Sequence, residues 1–143
     1  MVTLIGMGSG SWEALSVQAQ DAVRRAGLVF GAKRLLAGLP PECTARQFAL
    51  YQPAEILETL AQAPGQDAAV LYSGDTGFYS GASGLLTPLR ALGIPARVYP
   101  GVSSIQLLSA ALGRPWQDWK LVSAHGCACD PVAECLTAGG KPV

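Results

Sequence analysis

Three stretches of this sequence combine glycine, small hydroxyl side chains and almost no charge. They are Gly6-Met7-Gly8-Ser9-Gly10-Ser11, Ser73-Gly74-Asp75-Thr76-Gly77-Phe78-Tyr79 and Tyr99-Pro100-Gly101-Val102-Ser103-Ser104. Glycine lets main-chain N–H and C=O groups come close to a ligand, and Phe78 and Tyr79 can wall an aromatic ring. Asp75 is the one charged residue between Ala68 and Leu89, and no charge occurs from Val98 to Gly113. A loop with one carboxylate and no lysine or arginine argues against a phosphorylated cofactor and suits a ligand that brings its own positive charge. The plainer alternatives are a tight turn in which Asp75 makes a local Asx bond, and a helix cap at Ser103 or Ser104.

Other chemistries fit less well. The run Gly6-Met7-Gly8-Ser9-Gly10-Ser11 sits between an expected strand and helix, as a dinucleotide fingerprint does. Its spacing is G-x-G-x-G, Ser11 stands where the third glycine is needed, and the expected second strand ends in Gly31-Ala32-Lys33 without an acid for a ribose. No Ser-His-Asp set is evident, and His125 is the only histidine. With Cys127, Cys129 and Cys135 it forms H-x-C-x-C-x5-C, which lacks the C-x2-C pairing common in zinc sites. Free thiols in a loop are the preferred reading over a metal centre.

The elements that must position these loops read as α/β. The 143 residues are half apolar, 14% charged and of zero formal net charge. That composition fits one domain with a real core and gives no sign of a nucleic-acid partner. No apolar run approaches the ~20 residues of a membrane span, and the N-terminus lacks the pattern of a secretory signal, so a cytoplasmic protein is expected. Strands are expected at 2–6, 28–31, 45–50, 67–74, 96–101 and 119–125. Helices are expected at 12–26, capped by Ser11, at 32–38, after Pro53, at 82–92, and from Ser103 or Ser104 to Gly113.

Taken together, "LIGMGSGS", "SGDTGFYSGA" and "YPGVSSIQLLSAALGRPWQDWKLVSAHG" resemble, in order and spacing, the tetrapyrrole methylase family of the cobalamin and siroheme pathways. More narrowly they are similar to its precorrin and cobalt-precorrin carbon-5 methyltransferase branch, including the N-terminal half of fused carbon-5,15 enzymes. The resemblance runs from Val2 to the end of the chain. It implies a parallel-type sheet flanked by helices, the N-terminal domain of a two-domain fold with S-adenosylmethionine in the cleft between the domains. Carried over by motif, cofactor contacts fall on Ser9, on Ser73, Gly74, Asp75 and Phe78, and on Ser103 and Ser104, many of them through the main chain. The implied substrate is a tetrapyrrole with several carboxylates, for which Lys33, Arg34 and Arg114 are candidates by position. The resemblance further implies a homodimer for the full-length enzyme and a carbon-15 partner, separate or fused.

The expected organisation is an N-terminal α/β domain over 1–125, then a linker and the truncated start of a second domain over 126–143. Weak or no methyl transfer is expected from this chain alone. The competing readings are a non-catalytic α/β binding or assembly domain with structural glycine loops, and a nucleotide-dependent oxidoreductase, which the missing glycine and acid disfavour.

Overall fold

The structure is a computed structural model that describes residues 1–122, 130 and 132–134. It divides into a unit of Met1–Ser104 and a second of Ile105–Val143. His125, Cys127, Cys129 and Cys135, the end of the strand expected at 119–125 and most of the expected linker lie outside the described residues.

The first unit is a five-stranded parallel sheet in the order β3-β2-β4-β1-β5. Its strands are β1 (Val2–Gly6), β2 (Leu28–Phe30), β3 (Arg46–Phe48), β4 (Ala68–Tyr72) and β5 (Ala96–Tyr99). Residues alternate between the two faces of a strand, and two cores follow from that alternation. Val2, Leu4, Leu28, Phe30, Ala68 and Val70 meet Ile56 of α3 (Pro53–Ala61) and Leu85 and Leu89 of α4 (Ala82–Ala91) on one face. On the other, Ile5, Val29, Ala69 and Leu71 meet Ala19 and Val23 of α1 (Val17–Arg25) and Leu35 of α2 (Lys33–Leu36). This is why β1 is apolar at every position but Thr3: helices cover both of its faces. Leu4 and Ile5 are fully buried, each worth roughly 1.5–3 kcal/mol.

The first helix departs from expectation. A 3-10 turn at Trp12–Ala14 follows Ser11, whose side chain makes no capping bond. The α-helix begins five residues later than expected, capped by Ser16, whose hydroxyl accepts the Ala19 N–H at 3.3 Å. Ser11 and Ser16 are the same residue type, and only the second stands where the helix stripe of Ala19 and Val23 turns toward the sheet. The other elements expected up to residue 113 occur, shortened at their ends, whereas the described part of the strand expected at 119–125, residues 119–122, forms no strand. Pro53 opens α3 at its first turn. α5 (Ser104–Leu112) begins at Ser104 and carries the chain into the second unit. Within that unit Lys120 pairs with Glu134 at 3.0 Å.

Candidate functional site

Register decides what the glycine loops can do together. β1 and β4 pair so that Gly6 lies opposite Tyr72, and β1 and β5 so that Ile5 lies opposite Tyr99. Three adjacent parallel strands therefore end level, and the three glycine-rich turns leave the carboxyl edge of the sheet side by side. Ligands bind at that edge in open α/β sheets. β1 and β4 are neighbours, yet the chain leaves β1 for β2 on one side and β4 for β5 on the other, so the turns meet where the winding direction reverses.

The turns touch main chain to main chain. The Met7 N–H donates to the Tyr72 carbonyl at 2.8 Å. Gly8 and Gly74 exchange two hydrogen bonds, Gly8 N–H to Gly74 C=O at 3.1 Å and Gly74 N–H to Gly8 C=O at 2.9 Å. Both glycines have φ in the left-handed region, +57° and +65°, where a side chain would be strained. A Cβ on Gly6 would lie 2.5 Å from the Gly101 nitrogen and 2.7 Å from the Gly74 oxygen. A Cβ on Gly74 would meet nothing nearer than the Ser103 Cα at 4.0 Å. Gly6 and Gly101 are bare because backbones fill their space, whereas Gly74 borders open space.

Asp75 ties two of the turns. Its Oδ1 accepts the Gly77 N–H at 2.8 Å, the local Asx bond anticipated for a turn, and its Oδ2 accepts the Gly101 N–H at 3.2 Å. The buried Thr76 donates its hydroxyl to the Tyr99 carbonyl at 3.3 Å. Phe78 is half-buried and meets the exposed Tyr79 edge to face, ring centroids 4.7 Å apart. Tyr79 is the one non-glycine with positive φ among the described residues, at 46°.

Ser9, Ser73, Gly74, Asp75 and Ser103 thus belong to turns that the fold brings together. Ser9, Ser73 and Ser104 are exposed and Ser103 is buried. Lys33 and Arg34 are exposed on α2, which packs beside the first turn: a Cβ on Gly10 would lie 3.5 Å from the Leu35 side chain. Arg114 is exposed in the second unit, where its carbonyl accepts the Ser109 hydroxyl. Sequence reasoning missed Gly6, Thr76 and Gly101 as site-building residues. The only signal for them was that each lies within one of the three glycine-rich stretches.

No lysine or arginine lies within the three turns, and Asp75 is their single formal charge. Burial pushes the Tyr72 phenol up to about 12, so at neutral pH the tyrosine under the second turn is uncharged and no base. The set therefore consists of main-chain amides and carbonyls, hydroxyls, an aromatic pair and one carboxylate. It fits a cationic ligand with polar ends and fits a phosphate poorly.

Comparison with known proteins gives a consistent picture. The family model described as Tetrapyrrole (Corrin/Porphyrin) Methylases matches residues 1–139. The cobalt-precorrin-7 C(5)-methyltransferase of Salmonella typhimurium is 34% identical over 128 residues, covering 88% of this chain and 62% of that protein. The precorrin-6Y C(5,15)-methyltransferase [decarboxylating] of Sinorhizobium sp is 31% identical over 142 residues, 98% of this chain and 34% of the relative. Among solved structures, the uroporphyrin-III C-methyl transferase of Thermus thermophilus, complexed with S-adenyl homocysteine, superposes with a TM-score of 0.63 at 24% identity. That match covers 87% of this chain and 52% of the other, and at this identity it speaks for the fold. The chain spans less than two thirds of the length of each of these three proteins.

Proposed function

The chain belongs to the tetrapyrrole (corrin/porphyrin) methylases, and from that premise we propose that its three converging turns hold S-adenosylmethionine for methylation of a ring carbon of a precorrin. The observation that carries this reading is the level ending of β1, β4 and β5, whose three turns carry one carboxylate and no lysine or arginine. The site residues are those of the sequence reading: Ser9, Ser73, Gly74, Asp75, Phe78, Ser103 and Ser104.

When bound, the sulfonium cofactor supplies an activated methyl group and its own leaving group, and the tetrapyrrole carbon is the nucleophile. The chain's task is then to bind, orient and exclude water. Gly74, bare of a side chain and facing open space, lets the donor come close to the main chain. The half-buried Phe78 ring offers an apolar wall to an adenine. Asp75 places a negative charge in the turns that favours a cation over a neutral analogue.

The relatives' names suggest carbon 5 as the methylated position and a cobalamin-pathway substrate. The Sinorhizobium protein also carries a carbon-15 activity in its name, and this chain covers 34% of it. We assign that second activity to a separate or fused partner. Lys33, Arg34 and Arg114 are the proposed contacts to the carboxylates of the substrate.

Calorimetric titration with S-adenosylmethionine and with S-adenosylhomocysteine tests the reading. Saturable one-to-one binding of either compound is expected. A full absence of heat and of ligand-induced thermal shift would favour the second reading, a non-catalytic domain with structural glycine loops. The contact of Gly6 with Gly101 favours that second reading at those two positions alone, because backbone rather than ligand fills their space.

A further inference from the structure

We propose that Asp75 and Thr76 form a latch that fixes the Tyr99-Pro100-Gly101 turn against the 73–78 loop, which makes Asp75 a positioning residue for the pocket in addition to its single formal charge. The ligand-binding part of this inference rests on the methyl-donor reading above; the latch itself does not.

Among the described residues β5 is an edge strand, paired with β1 alone. Pro100 has no N–H to give, so the turn's polar anchor points beside it are the Tyr99 carbonyl and the Gly101 N–H. Both are taken, by neighbouring side chains of one dipeptide: the Thr76 hydroxyl donates to Tyr99 at 3.3 Å, and Asp75 Oδ2 accepts from Gly101 at 3.2 Å. The other carboxylate oxygen accepts from Gly77 at 2.8 Å and holds the Asp75 rotamer. Asp75 thus ties its own turn to a residue 26 positions further along the chain. Close approach is possible because Gly6, Gly74 and Gly101 meet without side chains, but contact alone does not hold an edge turn in place. The dipeptide does.

The chemistry of the latch is specific. A carboxylate presents an acceptor to each of the two N–H groups. Asparagine presents one acceptor and one NH2, so in Asp75→Asn a donor would face the N–H of either Gly77 or Gly101. Near-isosteric replacement therefore breaks one tie and adds a donor–donor clash. Thr76→Val removes the hydroxyl with little change of shape, and Thr76→Ser keeps it.

The test uses the full chain, labelled with 15N-glycine. The Gly77 and Gly101 amides are expected to exchange with deuterium slowly in the parent and at least tenfold faster in Asp75→Asn, because the carboxylate oxygens accept both N–H groups. A Gly101 amide that exchanges at the same rate in parent and variant overturns the latch. The second arm titrates S-adenosylhomocysteine calorimetrically. Asp75→Asn is expected to weaken binding at least tenfold and Thr76→Val about threefold to tenfold, while Thr76→Ser stays within twofold of the parent. Undiminished affinity in both Asp75→Asn and Thr76→Val overturns the positioning role. If Asp75→Asn does not fold, Gly101 amide exchange and affinity in the Thr76→Val and Thr76→Ser pair decide. A parent chain that binds no S-adenosylhomocysteine refutes the methyl-donor reading and leaves amide exchange to judge the latch by itself.

Discussion

Gly6 and Gly101 stand backbone against backbone: a Cβ on Gly6 would lie 2.5 Å from the Gly101 nitrogen, and a Cβ on Gly101 would lie 2.5 Å from the Gly6 oxygen. Neither residue has positive φ, so glycine is required here by volume and not by conformation. The contact joins the end of the central strand β1 to the turn after the edge strand β5. It lets the third turn close over the first and brings Gly101 within reach of the Asp75 carboxylate. Site assembly thus depends on two absent side chains as much as on any present one.

Gly101→Ala is therefore expected to destabilise the fold by about 3 kcal/mol, the upper part of the range for overpacking, because the atoms it strikes are main chain and cannot rotate away. Gly93→Ala serves as the contrast. Gly93 has φ +66° and nothing within 4 Å of its Cβ position, so alanine there meets conformational strain alone, on the order of 1 kcal/mol. Urea unfolding of the two variants measures both numbers. A Gly101→Ala midpoint at or above that of Gly93→Ala contradicts the backbone contact.

Much of this arrangement was legible in the sequence, and what was not has a common cause. β1 and β4 announce themselves as apolar runs because both of their faces are covered. Gly93, just past α4, and Pro53, at the start of α3, mark helix ends through local stereochemistry. Asp75 could be read as the donor-accepting residue of its own turn because the Gly77 N–H is two residues away. Its second bond, to Gly101, could not, because it depends on the register that sets Gly6 opposite Tyr72 and Ile5 opposite Tyr99. Register is a property of three strands at once. The misplaced cap at Ser11 has a similar origin: Ser16 wins because tertiary packing sets where the apolar stripe of α1 must start.

Lys33 and Arg34 separate donor binding from substrate binding. Both are exposed on α2 beside the first turn, and neither belongs to the three turns. The double change Lys33→Ala/Arg34→Ala is expected to leave S-adenosylhomocysteine affinity within twofold and stability within about 0.5 kcal/mol, as for surface changes generally. Binding of a polycarboxylate tetrapyrrole such as uroporphyrin, followed by fluorescence quenching, is expected to weaken several-fold at low salt and to lose that difference at high salt. Equal tetrapyrrole affinity at every salt concentration removes the pair from the substrate site.

Tyr79 inverts an ordinary rule of loop stability. It is exposed, holds φ at 46° and packs edge to face on Phe78. The left-handed conformation costs roughly 1–2 kcal/mol for a residue with a Cβ, and the ring pair returns roughly 0.5–1.5 kcal/mol. Tyr79→Ala loses the ring contact and keeps the strain. Tyr79→Gly loses the contact and releases the strain. Glycine is thus expected to be more stable than alanine at this position by about 1 kcal/mol, where a compatible loop site would favour alanine. Melting of the two variants side by side decides it, and an alanine variant that melts higher would show that the 78–80 segment relaxes to negative φ.

Tyr72 gives the fold a defined alkaline limit. It ends β4 opposite Gly6, beneath the second turn, and its ring lies 3.7 Å from where a Cβ on Gly81 would stand. Burial raises its phenol from the usual 10 to about 12. The folded state therefore holds the phenolic proton more tightly than the unfolded chain does. The stability gained from this group is complete below pH 10, declines as the unfolded phenol ionises above that value, and is gone once pH has risen through 12. Tyr72→Phe removes the titration. The difference in unfolding free energy between parent and variant is expected to stay constant from pH 7 to 9 and then to shift in favour of the variant between pH 10 and 12. Chemical denaturation across that range measures it. A difference that stays flat to pH 12 would mean that the phenol reaches solvent in the folded protein and that the second turn does not seal it.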